Sequence, residues 1–317
     1  MMKAIICEDY GPIANLVYGD MEDPEPGPRD VIIEAEAIGV NFPDGLLVQG
    51  LYQAKPPTPF VPGMELVGTI SAIGDKVENV KVGDRVAALA MIGAFAEKVK
   101  APAANVMPLP AKVDAGEVTA LLCGYGTSHH ALKQRGNLKK GETLVVTGAA
   151  GLTGLAAVQI GKAMGAKVIA VASSPQKQKT CLENGADIAI GYDNLKDEIK
   201  KATDGNGADV VFDVVGGDTF DACSRAMAWG GRLLVIGFAS GDIPKFPVNL
   251  ALVKGYSVVG VFWGSFTAKE PTVYAENMKE VMGWYLNGSI KPLVEAVYPL
   301  EKAADALTFI HDRKAVG

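Results

Sequence analysis

The chain has 317 residues, 49% apolar and 21% charged, enough to build about two packed domains. Its formal net charge of −6 speaks against a surface for nucleic acid or anionic lipid. No apolar run approaches the ~18 residues of a bilayer span, and Glu8 follows the N-terminus too soon for a signal peptide.

Proline sets the expected organisation along the chain. Twelve of the eighteen prolines precede residue 111, and Pro175 is the only one between 111 and 243. Helix interiors and central strands exclude proline, so the first third is expected to be loop-rich antiparallel β structure. Residues 31–40 agree: Val31, Ile33, Ala35 and Ala37 alternate with Glu34 and Glu36, the period of a half-buried strand. Residues 68–73, 84–90 and 94–101 read as further short strands set off by Gly74, Gly83 and Gly93.

From about residue 120 the pattern changes to alternating strands and helices. Strands are predicted at 143–147, 167–172, 188–192, 209–215, 232–237 and 257–262. Near-continuous apolar runs such as Leu144-Val145-Val146 and Leu233-Leu234-Val235-Ile236 suit a parallel sheet covered on both faces. Ser174 is placed to cap a helix with Pro175 at its first position, and Gly185 to end it. Six strands in this order imply a doubly wound α/β dinucleotide domain, a Rossmann sheet. The tail beyond 264 is expected to return to the first domain, with a helix over 272–287, the segment 292–298 and a last helix. The resulting division is 1–120, 121–263 and 264–317. The four cysteines, Cys7, Cys123, Cys181 and Cys223, are far apart in apolar or helical contexts. Buried thiols in a reducing compartment, hence a cytoplasmic protein, are expected.

The most telling stretch is the turn after the strand at 143–147. Ala149-Ala150-Gly151-Leu152-Thr153-Gly154 keeps two of the three glycines of a dinucleotide turn, with a strand before it and a helix after it. Backbone N–H groups at such a helix start face a pyrophosphate, so Ala150, Gly151, Leu152, Thr153 and Gly154 are candidate phosphate contacts. Leu152 must point away from the phosphates, while Thr153 offers a hydroxyl. The next strand ends without the acid that grips an unphosphorylated ribose. Ser173, Ser174, Lys177 and Lys179 cluster there instead, which favours a 2′-phosphate and therefore NADPH. Ser173, Ser174 and Lys177 are its expected ligands, with Tyr192 covering the adenosine. A solvated helix face is the alternative reading of the two lysines.

Zinc needs three or four Cys, His or carboxylate ligands. No cysteine lies between Cys7 and Cys123 and no histidine precedes His129. His129 and His130 stand about 100° apart around a helix and cannot share a metal; one packed and one solvated histidine is the plain expectation. A metal-free protein is therefore expected. No nucleophile–base pair is visible either.

Several segments together resemble the zinc-free quinone oxidoreductase branch of the medium-chain dehydrogenase/reductases, the zeta-crystallin-like group. They are Asn41-Phe42-Pro43-Asp44 with the preceding Gly39-Val40, Gly50-Leu51-Tyr52, Pro59 to Glu65, Gly83-Asp84-Arg85-Val86, Gly126-Thr127, the glycine turn, and Asp213-Val214-Val215-Gly216-Gly217. Where zinc-dependent relatives carry a cysteine and a histidine, this chain has Asn41 and Met64. It departs from the group at Leu152, where glycine is usual, and at Gly317, beyond which such chains usually continue into a last strand. The resemblance implies a GroES-like substrate domain made of the N-terminal part and the tail, an active site in the cleft between the domains, and a homodimer joined edge to edge through the strand at 257–262. It also implies that Thr127, Gly237, Phe238, Ala239, Ser240, Phe262 and Trp263 hold the nicotinamide, with core packing the alternative for the two aromatics.

Reduction of a quinone or a conjugated carbonyl puts negative charge on an oxygen, which needs a hydrogen-bond donor. Asn41 and Tyr52 are the candidate donors, with Asp44 orienting one of them or a water; turn chemistry is the alternative for the Asn41–Asp44 stretch. Glu65 reads as structural. The expected function is NADPH-dependent reduction of quinones. An enone or enoyl double-bond reductase and a non-catalytic NADPH-binding protein are the competing readings, and the missing ligands speak against a zinc alcohol dehydrogenase.

Overall fold

A computed structural model describes residues 1–317 and divides them into two compact units: Met1–Cys123 with Val294–Ala315, and Gly124–Leu293 with Val316–Gly317. The expected return at residue 264 is corrected. Helices Trp263–Lys269 and Pro271–Leu286 stay with the second unit, whose interior takes up Phe266, Met278 and Val281.

The first unit opens with a two-stranded antiparallel pair, β1 (Met2–Ile6) and β2 (Val17–Met21). Its main sheet contains β3 (Asp30–Ile38), β4 (Glu65–Ile73), β5 (Arg85–Leu89), β6 (Lys98–Pro102) and β7 (Val106–Pro108), in the order β6-β3-β4-β5-β7 and antiparallel throughout. Both prolines of these strands lie on its outer members, where a missing N–H breaks no ladder. Val31, Ile33, Leu66, Ile70, Val86 and Val99 form its core. Of the predicted strand at 94–101 only the second half joins the ladder; Phe95 and Ala96 bond or bridge to β1 instead.

The second unit is a six-stranded parallel sheet: β8 (Thr143–Val146), β9 (Lys167–Val171), β10 (Ile188–Ile190), β11 (Ala208–Asp213), β12 (Met227–Val235) and β13 (Ser257–Gly260). The order β10-β9-β8-β11-β12-β13 reverses direction between β8 and β11, the switch point of a Rossmann sheet. The apolar runs are buried on both faces: Val145, Ile169, Val211 and Leu233 on one, and Leu144, Val168, Val210 and Leu234 on the other, have no exposure. Each such side chain contributes roughly 1.5–3 kcal/mol. The molecule is thus an α/β Rossmann sheet accompanied by a β-rich unit. All four cysteines are free thiols, three of them buried. No helix is long and apolar enough to cross a membrane.

Candidate functional site

In the second unit the chain leaves β8 at Thr147, whose hydroxyl donates to Asp213 at the end of β11 (2.6 Å). The Asp213 carboxylate also accepts the backbone N–H groups of Val215 and Gly216, at 3.0 and 3.3 Å. This buried lock joins the two strands that border the switch point. The Ala149 N–H then crosses to Val171 of β9 (3.1 Å), and the helix Leu152–Ala163 begins. Gly154 must be glycine: a Cβ there would stand 2.2 Å from the Gly148 carbonyl oxygen and 2.8 Å from the Ala149 Cα. At Gly151 the nearest atom to a Cβ is 3.8 Å away, so that side of the turn is open. The first-turn N–H groups of Leu152, Thr153 and Gly154 have no carbonyl within their helix to accept them. Ala150 is buried, and its carbonyl accepts the Gly317 N–H at 2.8 Å. Leu152 packs where a side chain on Gly124 would stand, and Thr153 is half-buried with its carbonyl accepting the Ser128 hydroxyl (2.7 Å).

Around this turn the structure gathers most of the residues singled out for the adenosine end. Ser174 caps the helix Pro175–Glu183, its oxygen accepting the Lys177 N–H at 3.2 Å. The hydroxyl of Ser174 is therefore engaged by its own helix, while Ser173 is exposed and Lys177 half-exposed beside it. Lys179 pairs with Glu183 along the helix surface at 3.7 Å. Tyr192 places its hydroxyl 3.0 Å from the Gly148 N–H and lines an open cavity of about 480 Å³ with Asn194, Asp218 and Thr219. Burial raises its phenol pKa. A glycine turn with an open side, free helix-start N–H groups and no acid after β9 fits a phosphorylated dinucleotide.

The other candidates of this unit fall into two groups. Gly237, Phe238, Ala239 and Ser240 follow β12 and run beside the segment after β11: the N–H groups of Ala239 and Ser240 donate to the carbonyls of Val214 and Val215, both at 2.9 Å. Thr127 lies half-buried on the helix Gly126–His130. Trp263 is buried against Gly126 next to it and packs edge-on with Tyr274, ring centroids 5.9 Å apart. Its ring is thus taken up by packing, whereas Phe262 is 54% exposed. His129 and His130 are both buried, which corrects the expectation of one solvated ring. His129 bonds Glu280 at 2.9 Å, and His130 bonds Gln134 and stacks on Phe266. The sequence shows adjacent histidines but not the helix Pro271–Leu286 that covers them.

In the first unit Asn41, Asp44 and Glu65 form one buried polar cluster. Asn41 precedes the helix Phe42–Val48, and its N–H donates to the Asp44 carboxylate at 2.8 Å. Its amide nitrogen donates to Glu65 at 2.6 Å. The second carboxylate oxygen of Glu65 accepts the Cys123 N–H at the same distance. Glu65, read from the sequence as structural, is the pivot of the cluster; its position after Pro62-Gly63-Met64 gave no sign of that. Desolvation pushes Glu65 up to about 8 against the hydrogen bonds from Asn41 and Cys123, and nearby Asp44 pushes the same way. Desolvation likewise pushes Asp44 up to about 7, opposed by the N–H groups of Asn41 and Gly63. One Asp44 oxygen, Oδ1, is buried with no partner. Tyr52 is half-buried; burial, then the neighbouring Cys123 and Asp44, raise its phenol pKa and keep it a donor. No three His, Cys, Asp or Glu side chains converge as a metal-binding group.

The family model described as "Alcohol dehydrogenase GroES-like domain" matches residues 27–111, and that described as "Zinc-binding dehydrogenase" matches 153–282. The first unit is accordingly GroES-like. The chain is 38% identical to a quinone oxidoreductase-like protein 2 homolog of Nematostella vectensis, over 99% of this chain and 87% of that one. Among solved structures, Escherichia coli quinone oxidoreductase complexed with NADPH superposes with a TM-score of 0.90 at 27% identity, covering 100% of this chain and 97% of that one. The CurK enoyl reductase superposes with a TM-score of 0.89 at 26% identity, with the same coverage of both chains.

Proposed function

The chain belongs to the quinone oxidoreductase branch of the medium-chain dehydrogenase/reductases, and from that membership we propose that it is an NADPH-dependent oxidoreductase that reduces quinones without a metal. One observation carries the cofactor choice: β9 runs out into Ser173, Ser174 and Lys177, with no carboxylate to repel a 2′-phosphate. The solved relative complexed with NADPH supports the same choice.

When bound, NADPH supplies the hydride. The N–H groups of Leu152, Thr153 and Gly154 hold the pyrophosphate, Ser173 and Lys177 the 2′-phosphate, and Tyr192 flanks the adenosine. Thr127 and the loop Gly237-Phe238-Ala239-Ser240 orient the nicotinamide end, with Phe262 and the Trp263 backbone beside it. In the first unit the Tyr52 hydroxyl and the second amide hydrogen of Asn41 donate to the acceptor oxygen, where charge develops. Asp44, its carboxyl pushed up to about 7, fixes the Asn41 backbone and holds a proton near neutrality. Asn41 and Met64 at the positions where zinc-dependent relatives carry ligands support chemistry without zinc.

A homodimer through β13 completes the reading. The strand is an outer member of its sheet, with Val258 exposed, and Trp229, Val248 and Leu252 nearby in sequence or sheet are more than three-quarters exposed. Such a patch is what a paired edge would cover.

The fold of the CurK enoyl reductase supports a second reading, reduction of a conjugated C=C bond. NADPH consumption by the purified protein with 1,2-naphthoquinone and with a small enal separates the two; turnover of the enal alone would replace the quinone assignment. Lys177→Ala is expected to weaken NADPH about ten-fold or more and leave NADH nearly unchanged, since a charge-assisted bond contributes ~1.5–3 kcal/mol. Equal loss for both cofactors, measured by calorimetry, would reject the 2′-phosphate site.

A further inference from the structure

The last helix of the first unit, Ala303–His311, ends against the helix Phe42–Val48. Its final residue makes three contacts with a single turn. The His311 imidazole lies flat on the Phe42 ring, centroids 4.3 Å apart and planes 10° from parallel. Its Nε2 stands 3.1 Å from the Phe42 carbonyl oxygen, which can only accept, so Nε2 carries the hydrogen. The ring also fills the space in which a side chain at residue 45 would begin: a Cβ on Gly45 would be 2.0 Å from Nε2 and 2.5 Å from Cδ2. Gly45 is therefore the residue that admits the ring to the helix surface.

That turn is the one from which Asn41 and Asp44 reach Glu65 and the Asn41 backbone. A stack, a hydrogen bond and a steric fit fix the rotation of this short helix about its axis, which the two-ended Glu65 tether alone does not. We propose that His311 is a positioning residue for the acceptor side of the site, holding the Asn41–Asp44 turn in register with Glu65. It touches no reacting atom. The inference rests on the reading that Asn41 and Asp44 serve the acceptor.

Three full-length variants test it: His311→Ala, His311→Gln, which keeps an N–H donor of similar reach, and Gly45→Ala, which expels the ring while leaving it present. In His311→Ala and Gly45→Ala, amide hydrogen exchange across residues 41–46 is expected to rise while β8 and β9 keep their protection. kcat for the acceptor is expected to fall about ten-fold, in line with the sensitivity of catalysis to sub-ångström placement, with NADPH affinity unchanged. His311→Gln should recover most of both losses. Unchanged exchange at 41–46 would overturn the proposal, as would raised exchange with normal kcat, or raised exchange throughout both units. Should the wild-type protein turn over no acceptor, the functional reading fails by itself, and the exchange measurement still decides whether His311 holds the turn.

Discussion

Glu65 shows how one buried carboxyl can tie a polar cluster together from behind. It is fully buried and receives two N–H donors, one from Asn41 and one from Cys123. Burial raises its pKa from the ordinary 4.5 to about 8. The folded state therefore binds the Glu65 proton more tightly than the unfolded chain does. Between pH 4.5 and 8 the folded state holds more protons, so stability falls as pH rises through that window. The effect is on the order of a few kcal/mol for a shift of this size. Asp44, raised to about 7, slopes the same way. Glu65→Gln should flatten the dependence, leaving the Asp44 part. It should also cost ~1–3 kcal/mol at low pH, because the new amide NH2 faces a donor and orphans it. Denaturant midpoints at pH 5 and pH 8.5 for both proteins check this; an equal slope in the two would refute it. Of this cluster the sequence offered Asn41 and Asp44 through a motif, and their partner only as a residue of structural type. The fold joins Glu65 to a side chain 24 positions before it and a backbone N–H 58 positions after it, and no local pattern announces either.

Among elements, the parallel strands were the most legible and the β-rich third the least. β8, β9 and the second half of β12 carry near-continuous apolar runs because both faces are covered, and such runs are visible without knowing the partner strand. β1, β2 and β7 went unread. β2 carries Gly19 in its middle and exposes both Val17 and Tyr18, so it lacks the period of a half-buried strand. β7 is three residues long. β12 begins at Met227, five residues before the predicted start, because Gly230 and Gly231 within it look like a turn. The cap at Ser174 was legible to the residue, since Ser-Pro at a helix start is local chemistry. The glycine turn gives the element-level prediction. Gly154→Ala would push a methyl into the Gly148–Ala149 backbone, which no side-chain rotation relieves. The helix start must shift, taking its N–H groups away from the proposed phosphate seat. At ~1–3 kcal/mol for overpacking of this kind, NADPH should bind at least ten-fold more weakly and the thermal midpoint should drop. Calorimetry with wild-type affinity in this variant would show that the turn does not hold the pyrophosphate.

For the molecule as a whole, the division into units differs from the expected one because the helix Pro271–Leu286 pairs polar side chains with a partner that sequence cannot name. Asn277 pairs with Gln134, and Glu280 with His129 and Lys133, in the second unit. A tail read as returning at 264 therefore returns at Val294. The proposed dimer belongs to this scale. Val258→Lys puts a charge on the outer strand of the six-stranded sheet and should yield monomers by sedimentation velocity, with the Trp229 fluorescence shifted toward that of a solvated indole. A dimer that survives this change would mean that copies meet elsewhere. The sheet margins decide what kind of assembly follows. β6 carries Lys98, Lys100 and Pro102, β7 stops at Pro108, and β10 at the far side of the Rossmann sheet offers three residues. Each of those borders is a poor template for a newcomer. If copies pair through β13 as proposed, the blunted borders of the two main sheets leave no further strand to recruit there, so rising concentration should fill a two-fold symmetric particle rather than lengthen a fibre.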